Sequence, residues 1–306
     1  MYSKMEKDTN YKQGRIRAMS DFKRRTKYQE EAVEQLRAIK SKADDLRKNM
    51  IFIPSTDSII GYYGGMRALE VGCTKIKKGS YEWQNVDDEV IVTNLEKVWN
   101  GMPYDSERHT QQIIALNNSS LEESELSVCG FETSIPEAYF EDNESIHKPE
   151  IDLVLFDANP TRPRMILVEY KCTTKALTGN QDVEAHAKDY AAIYKLAKSG
   201  ELPFVREMLN AYNVRRKIEQ KEEVNFEPSE ITLDIAFLFT GNFVERNNRA
   251  EKITEERALA EIEKLKEKCQ TNTEEISEEA AKHMYWRWES DYKDVKFDKY
   301  YFEKLL

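Results

Sequence analysis

Residues 149–175 read P-E-I-D-L-V-L-F-D-A-N-P-T-R-P-R-M-I-L-V-E-Y-K-C-T-T-K, and their reading decides the fold. Two short apolar runs, Ile151 to Phe156 and Met165 to Val168, are rich in Val, Ile and Leu, and the segment between them carries Pro160 and Pro163. Runs of that length bounded by turn residues predict two neighbouring strands. Three charges interrupt them: Asp152 near the start of the first, Glu169 and Lys171 at the end of the second. Residues two apart on a strand face the same way, so Glu169 and Lys171 project together. A buried charge is costly unless it is paired or bound to a metal, so these three require a partner or an ion.

Two carboxylates on adjacent strands are hard oxygen donors suited to Mg²⁺. A bound ion acidifies its water and offsets charge building on a phosphorane, while a nearby ammonium orients the attacking water. In this order Asp152, Glu169 and Lys171 resemble the D…E-x-K core of the PD-(D/E)XK nuclease superfamily, over roughly Ser106 to Asn242. The aspartate lies three residues after Pro149 instead of directly after a proline. The resemblance implies a restriction-endonuclease-like α/β fold, a mixed sheet flanked by helices, with helical additions at both termini. It implies Mg²⁺ (or Mn²⁺) held by Asp152 and Glu169, with Lys171 beside the attacking water. The substrate would be nucleic acid, DNA before RNA, and the role restriction or phage defence. A glutamate from the helix before the sheet often joins such sites, which implies Glu107, with Glu96 as the fallback. Exonuclease-like members place Q-x-x-x-Y on the helix after the E-x-K strand; here His186-Ala187-Lys188-Asp189-Tyr190 has His where Gln is usual. His186 and Tyr190, with Lys175 just beyond the strand, are therefore the substrate-binding candidates.

E-x-K alone means little in a chain that is 33% charged, and Glu219-Gln220-Lys221 repeats it in a charged, helical-looking run. Only Glu169-Tyr170-Lys171 ends an apolar strand with an acidic strand just before it. The competing reading is a structural ion pair in an inactive nuclease-like scaffold that binds a protein or a nucleic acid.

The remaining sequence surrounds this core. Asp105 or Ser106 is a plausible N-cap for a helix through Asn118, and Leu126 to Ile135 reads as a strand. Gln181 to Lys198 is a helix whose Val183, Ala187, Tyr190, Ala191, Tyr194 and Ala197 share one side. Phe204 to Glu223 is a further helix and Ile231 to Phe239 a further buried strand, with Asp234 as a spare carboxylate. The order helix, strand, strand, strand, helix, helix, strand predicts an α/β core over 101–245. Glu245 to Cys269 and Thr273 to Tyr292 read as two charged helices of a C-terminal region, 246–306, whose tail adds an edge strand or a last helix. Region 1–100 is expected to be largely helical. From about Asp21 to Met50 the pattern is helical, and Leu36, Ile39, Ala43, Leu46 and Met50 form a short heptad seam on it, either packed on its own domain or offered to a partner protein or a second copy. Glycines concentrate between Gly61 and Gly79 without a phosphate-loop order, which predicts turns between short strands or helices, and Asp87 to Trp99 reads as a helix.

With net charge −10 the chain is not one that coats nucleic acid non-specifically. Residues 1–50 nevertheless hold 14 Lys or Arg against 8 Asp or Glu, leaving 32 against 48 in the remainder. Such a basic arm suits phosphates, the acidic body or an acidic partner equally. Cys73, Cys129, Cys172 and Cys269 form no C-x-x-C pair, so neither a zinc site nor a disulfide framework is predicted. No apolar stretch approaches membrane-spanning length, and the polar amino terminus lacks a signal-peptide core, so no membrane and a cytoplasmic location are expected.

Overall fold

The computed structural model describes residues 50–54, 59–63, 66–71, 106–119, 121, 126–135, 139–140, 150–178, 182–244, 250–271, 274–298 and 300–306. Its centre is a six-stranded mixed sheet in the order β4-β5-β6-β7-β8-β9. The strands are β4 Leu126–Ser134, β5 Glu150–Asp157, β6 Arg164–Lys171, β7 Thr232–Thr240, β8 Met284–Glu289 and β9 Glu303–Lys304. β4, β5 and β6 run antiparallel in turn, β6, β7 and β8 are parallel, and β9 closes the edge antiparallel to β8. Asp157 and Asn159 turn the chain between β5 and β6 by accepting from the amides two residues on, at 2.9 and 3.0 Å.

β6 and β7 lie in the middle of the sheet with helices or chain on both faces, which is why they read as nearly unbroken apolar runs. On one face the core holds Met165, Leu167, Ile235, Phe237 and Phe239 against α2 Val183–Lys198, α3 Phe204–Ile218, α4 Glu255–Thr271 and α5 Glu278–Lys282. On the other, Val168, Tyr170, Ala236 and Leu238 pack with α1 Ser106–Asn117 and the aromatic tail residues Phe297, Tyr301 and Phe302. The small antiparallel sheet of β1 Met50–Pro54, β2 Ile59–Tyr63 and β3 Met66–Val71 adds Ile51, Ile53, Ile60 and Tyr62 to that second core. Gly130 marks an irregularity where β4 meets β5: a Cβ there would come within 2.9 Å of Val154 Cγ2.

The expected α/β architecture, a mixed sheet flanked by helices, is therefore present. Four local expectations are corrected. Met50 begins β1 instead of ending a helix, while the glycine-rich stretch does carry short strands, β2 and β3; the rest of the Asp21–Met50 helix, the Asp87–Trp99 helix and Glu96 lie outside the described residues. Helix α3 stops at Ile218, where Gln220 adopts φ +57° and the amides of Gln220 and Lys221 return to the carbonyls of Lys217 and Arg216. That is a Schellman closure, made without glycine. Helix α4 begins at Glu255, because the preceding chain is extended and bridges Thr173 to Lys252. Finally, 284–289 is a strand of the main sheet, not part of a helix. Met284, Trp286 and Trp288 turn toward one core and Tyr285 toward the other, an alternation fitted to the open edge of β7. β8 and β9, from the expected helical region 246–306, are thus part of the core sheet. Among the described residues no helix is long and apolar enough to cross a membrane.

Candidate active site

Strand alternation determines what gathers at the C-terminal end of β6. Met165 and Leu167 face the α2 core and Ile166, Val168 and Tyr170 the opposite one, so Glu169 and Lys171 project toward α2. The β5–β6 register pairs Leu153 with Val168. Carried one residue further, it sets Asp152 opposite Glu169, where the Asp152 side chain accepts the Tyr170 amide at 2.7 Å. Asp182 caps α2 by accepting from the Ala185 amide at 2.8 Å, and the first two turns of that helix lay His186 and Tyr190 over the strand ends.

The contacts are short and mutual. Lys171 Nζ lies 2.5 Å from Glu169 Oε1. The Tyr190 hydroxyl donates to Glu169 Oε2 at 2.7 Å and accepts from the Asp152 amide at 3.4 Å, tying the two strands together. His186 Nδ1 is 3.3 Å from the same Glu169 oxygen. Glu107, in the first turn of α1, accepts from Cys172 Sγ at 3.7 Å, and its charge is felt at both Asp152 and Lys171.

Burial and this crowd of charges set the protonation states. Burial pushes the Asp152 carboxyl well above the usual range, and Glu169, Glu107 and Glu132 push the same way against Lys171. Glu169 goes down instead: burial opposes ionisation, but Lys171, His186 and the bond from Tyr190 outweigh it. Burial works against the charge on Lys171, yet Glu169, Glu107 and Asp152 outweigh it and hold the proton on. His186 is lowered by burial first, with Glu169 resisting. The His186 Nε2 is buried without a hydrogen bond among the described residues.

The sequence-predicted residues thus divide. Asp152, Glu169, Lys171, Glu107 and His186 gather. Tyr190 gathers too; it is completely buried, and its hydroxyl is bonded to Glu169. Lys175 is exposed on the 3-10 turn Thr174–Leu177, apart from these contacts. Glu132, Arg108 and Glu150 were missed. Glu132, 8% exposed, pairs with Arg108 at 2.6 Å, and Arg108 also reaches Glu150 at 3.3 Å. Its backbone is left-handed, φ +46°, which costs a non-glycine residue roughly 1–2 kcal/mol. A glutamate ending the buried run Leu126 to Phe131 was the available signal; the dihedral had none.

The donors fit a hard divalent cation in type and charge, because the buried Glu169 and the half-buried Asp152 and Glu107 face a single ammonium among the described residues, Lys171. Among the described residues, no three His, Cys, Asp or Glu side chains are already grouped to hold an ion.

The Asp152 shift gives a testable pH dependence. A raised native value means the folded state keeps a proton that the unfolded chain releases, so stability falls as pH rises from about 4 toward that value. Without divalent ions, Asp152→Asn should be more stable than wild type near neutrality, with a flatter profile in that window. Urea unfolding at a series of pH values reads this, and superimposable profiles would refute it.

No family model, curated protein or solved structure matches the chain.

Proposed function

We propose that the protein is a metal-dependent nuclease of the PD-(D/E)XK kind, hydrolysing phosphodiester bonds in nucleic acid, with DNA the first substrate to test. The observation that carries this reading is the meeting of Asp152, Glu169 and Lys171 on one sheet face, with a carboxyl group whose ionisation lacks enough compensating charge. Asp152 and Glu169 would hold Mg²⁺ or Mn²⁺. When bound, the cation supplies an acidified water and charge neutralisation at phosphorus. Lys171, kept protonated, orients the attacking water and faces the developing negative charge. Tyr190 restrains the Glu169 carboxylate, and Glu107 adds negative charge at the rim. A place in restriction or phage defence would follow from that chemistry.

One observation favours the scaffold reading: both Glu169 oxygens are already engaged, by Lys171, Tyr190 and His186, as in a structural ion pair. A divalent-ion titration separates the two. In the nuclease reading Mg²⁺ or Mn²⁺ raises the melting temperature, Asp152→Asn abolishes that rise, and wild type cleaves DNA or RNA only with the ion. A wild type that neither gains stability nor cleaves with either metal rules the nuclease out.

A further inference from the structure

The cations of this site differ in reach. Lys171 is 5% exposed and locked to Glu169, whereas the Arg108 side chain, one residue after Glu107 on α1, is 43% exposed. A phosphodiester approaching Asp152 and Glu169 meets carboxylates first, so binding requires a cation at the rim. Among the described residues two acids of unequal grip hold Arg108. Glu132 is 8% exposed at 2.6 Å, and its left-handed backbone directs it toward α1 from the end of β4. Glu150 is 41% exposed at 3.3 Å and shares its other oxygen with the Ser134 hydroxyl, also at 3.3 Å. A planar guanidinium has enough donors to keep one carboxylate while taking a phosphate on another edge.

We infer that Arg108 binds a backbone phosphate of the nucleic-acid substrate, with Glu132 keeping the guanidinium at the rim and Glu150 yielding its place to the phosphate. The inference rests on the nuclease reading for its substrate, but binding tests it separately from cleavage. Glu150 acts as a gate: while it holds Arg108 it weakens binding, and its removal should tighten it.

The test is fluorescence anisotropy of a labelled DNA duplex with Ca²⁺ present, across a series of KCl concentrations, on wild type, Arg108→Ala and Glu150→Gln. Arg108→Ala should weaken binding about tenfold and flatten the slope of log affinity against log salt by ~0.9, the mark of one lost phosphate contact. A structural role for Arg108 would leave that slope unchanged. Glu150→Gln should bind more tightly with the wild-type slope. In Mg²⁺ the Arg108→Ala loss should fall on KM more than on kcat. If wild type cleaves while the Arg108→Ala slope is unchanged, the Arg108 assignment fails and the nuclease reading stands. A wild type that binds without cleaving, with the slope reduced in Arg108→Ala, has the converse meaning. No DNA binding by wild type overturns both. Should Arg108→Ala fail to fold, an unchanged affinity in Glu150→Gln, which alters a half-exposed side chain, refutes the gate and the phosphate role with it.

Discussion

Lys171→Ala should cut metal-dependent cleavage by two orders of magnitude or more, in line with ~3–4 kcal/mol for one preorganised charge-stabilising group. The ammonium lies 2.5 Å from Glu169, and both side chains are about 5% exposed or less. Removing it therefore also leaves a buried carboxylate short of its main counter-charge, at ~3–5 kcal/mol of stability. That second loss accompanies the nuclease and scaffold readings alike, so stability alone does not separate them. Metal rescue does. With Lys171 gone, a divalent ion at Glu169 replaces the missing positive charge, so Mg²⁺ should raise the melting temperature of Lys171→Ala more than that of wild type. In the scaffold reading Mg²⁺ has no such effect, and only neutralising the orphaned acid with Glu169→Gln restores stability. The pair also has a sign in pH. Glu169 titrates lower in the folded state, so its contribution is complete above about 4.3 and fades as acid reaches its native value. Lys171→Ala should lose that acid-limb dependence. Full cleavage by a folded Lys171→Ala protein would remove Lys171 from the chemistry.

How far the sequence displayed all this depended on whether the deciding interaction was local. β5 and β6 were legible because strands buried on both faces show apolar runs with turn residues at their ends, and in-phase Glu169 and Lys171 follow from alternation alone. β8 was not. Six residues, M-Y-W-R-W-E, satisfy a helical or a strand period equally, and the choice was made by the free edge of β7 some 45 residues earlier. Tyr190 is a different case. Its spacing from His186 was legible, and Val183, Ala187, Ala191 and Tyr194 on the same stripe marked that face as core, but that its buried hydroxyl bonds Glu169 depends on the packing of α2 over β6 and shows in no local pattern. Glu132 was hidden because its place depends on a left-handed backbone and on Arg108 of another element. No residue pattern announces either.

Asp234 provides the complementary test, because it was read as a spare carboxylate and the fold uses it at the opposite end of the parallel strands. It is 1% exposed, bonded to the Arg164 Nε and to His283 Nδ1, the latter at 2.7 Å. The Arg164 guanidinium lies 4.6 Å over the Tyr285 ring and has a buried Nη2 without a hydrogen bond among the described residues. Asp234 therefore ties β6, through Arg164, and the start of β8, through His283, to β7. Asp234→Ala leaves a largely buried guanidinium uncompensated and should cost ~3–5 kcal/mol, with β8 amides losing more protection from hydrogen exchange than those of β5. Replacing both partners, Asp234→Leu with Arg164→Met, should recover much of that loss, because apolar side chains of similar size need no counter-charge. Below the melting transition the single variant should keep the divalent-ion response of wild type, since Asp152, Glu169 and Lys171 make no contact with Asp234. A loss under about 1 kcal/mol would mean that Arg164 finds water when Asp234 is gone, and that hydrogen bonds along β7, not this buried charge, hold β8 in the sheet.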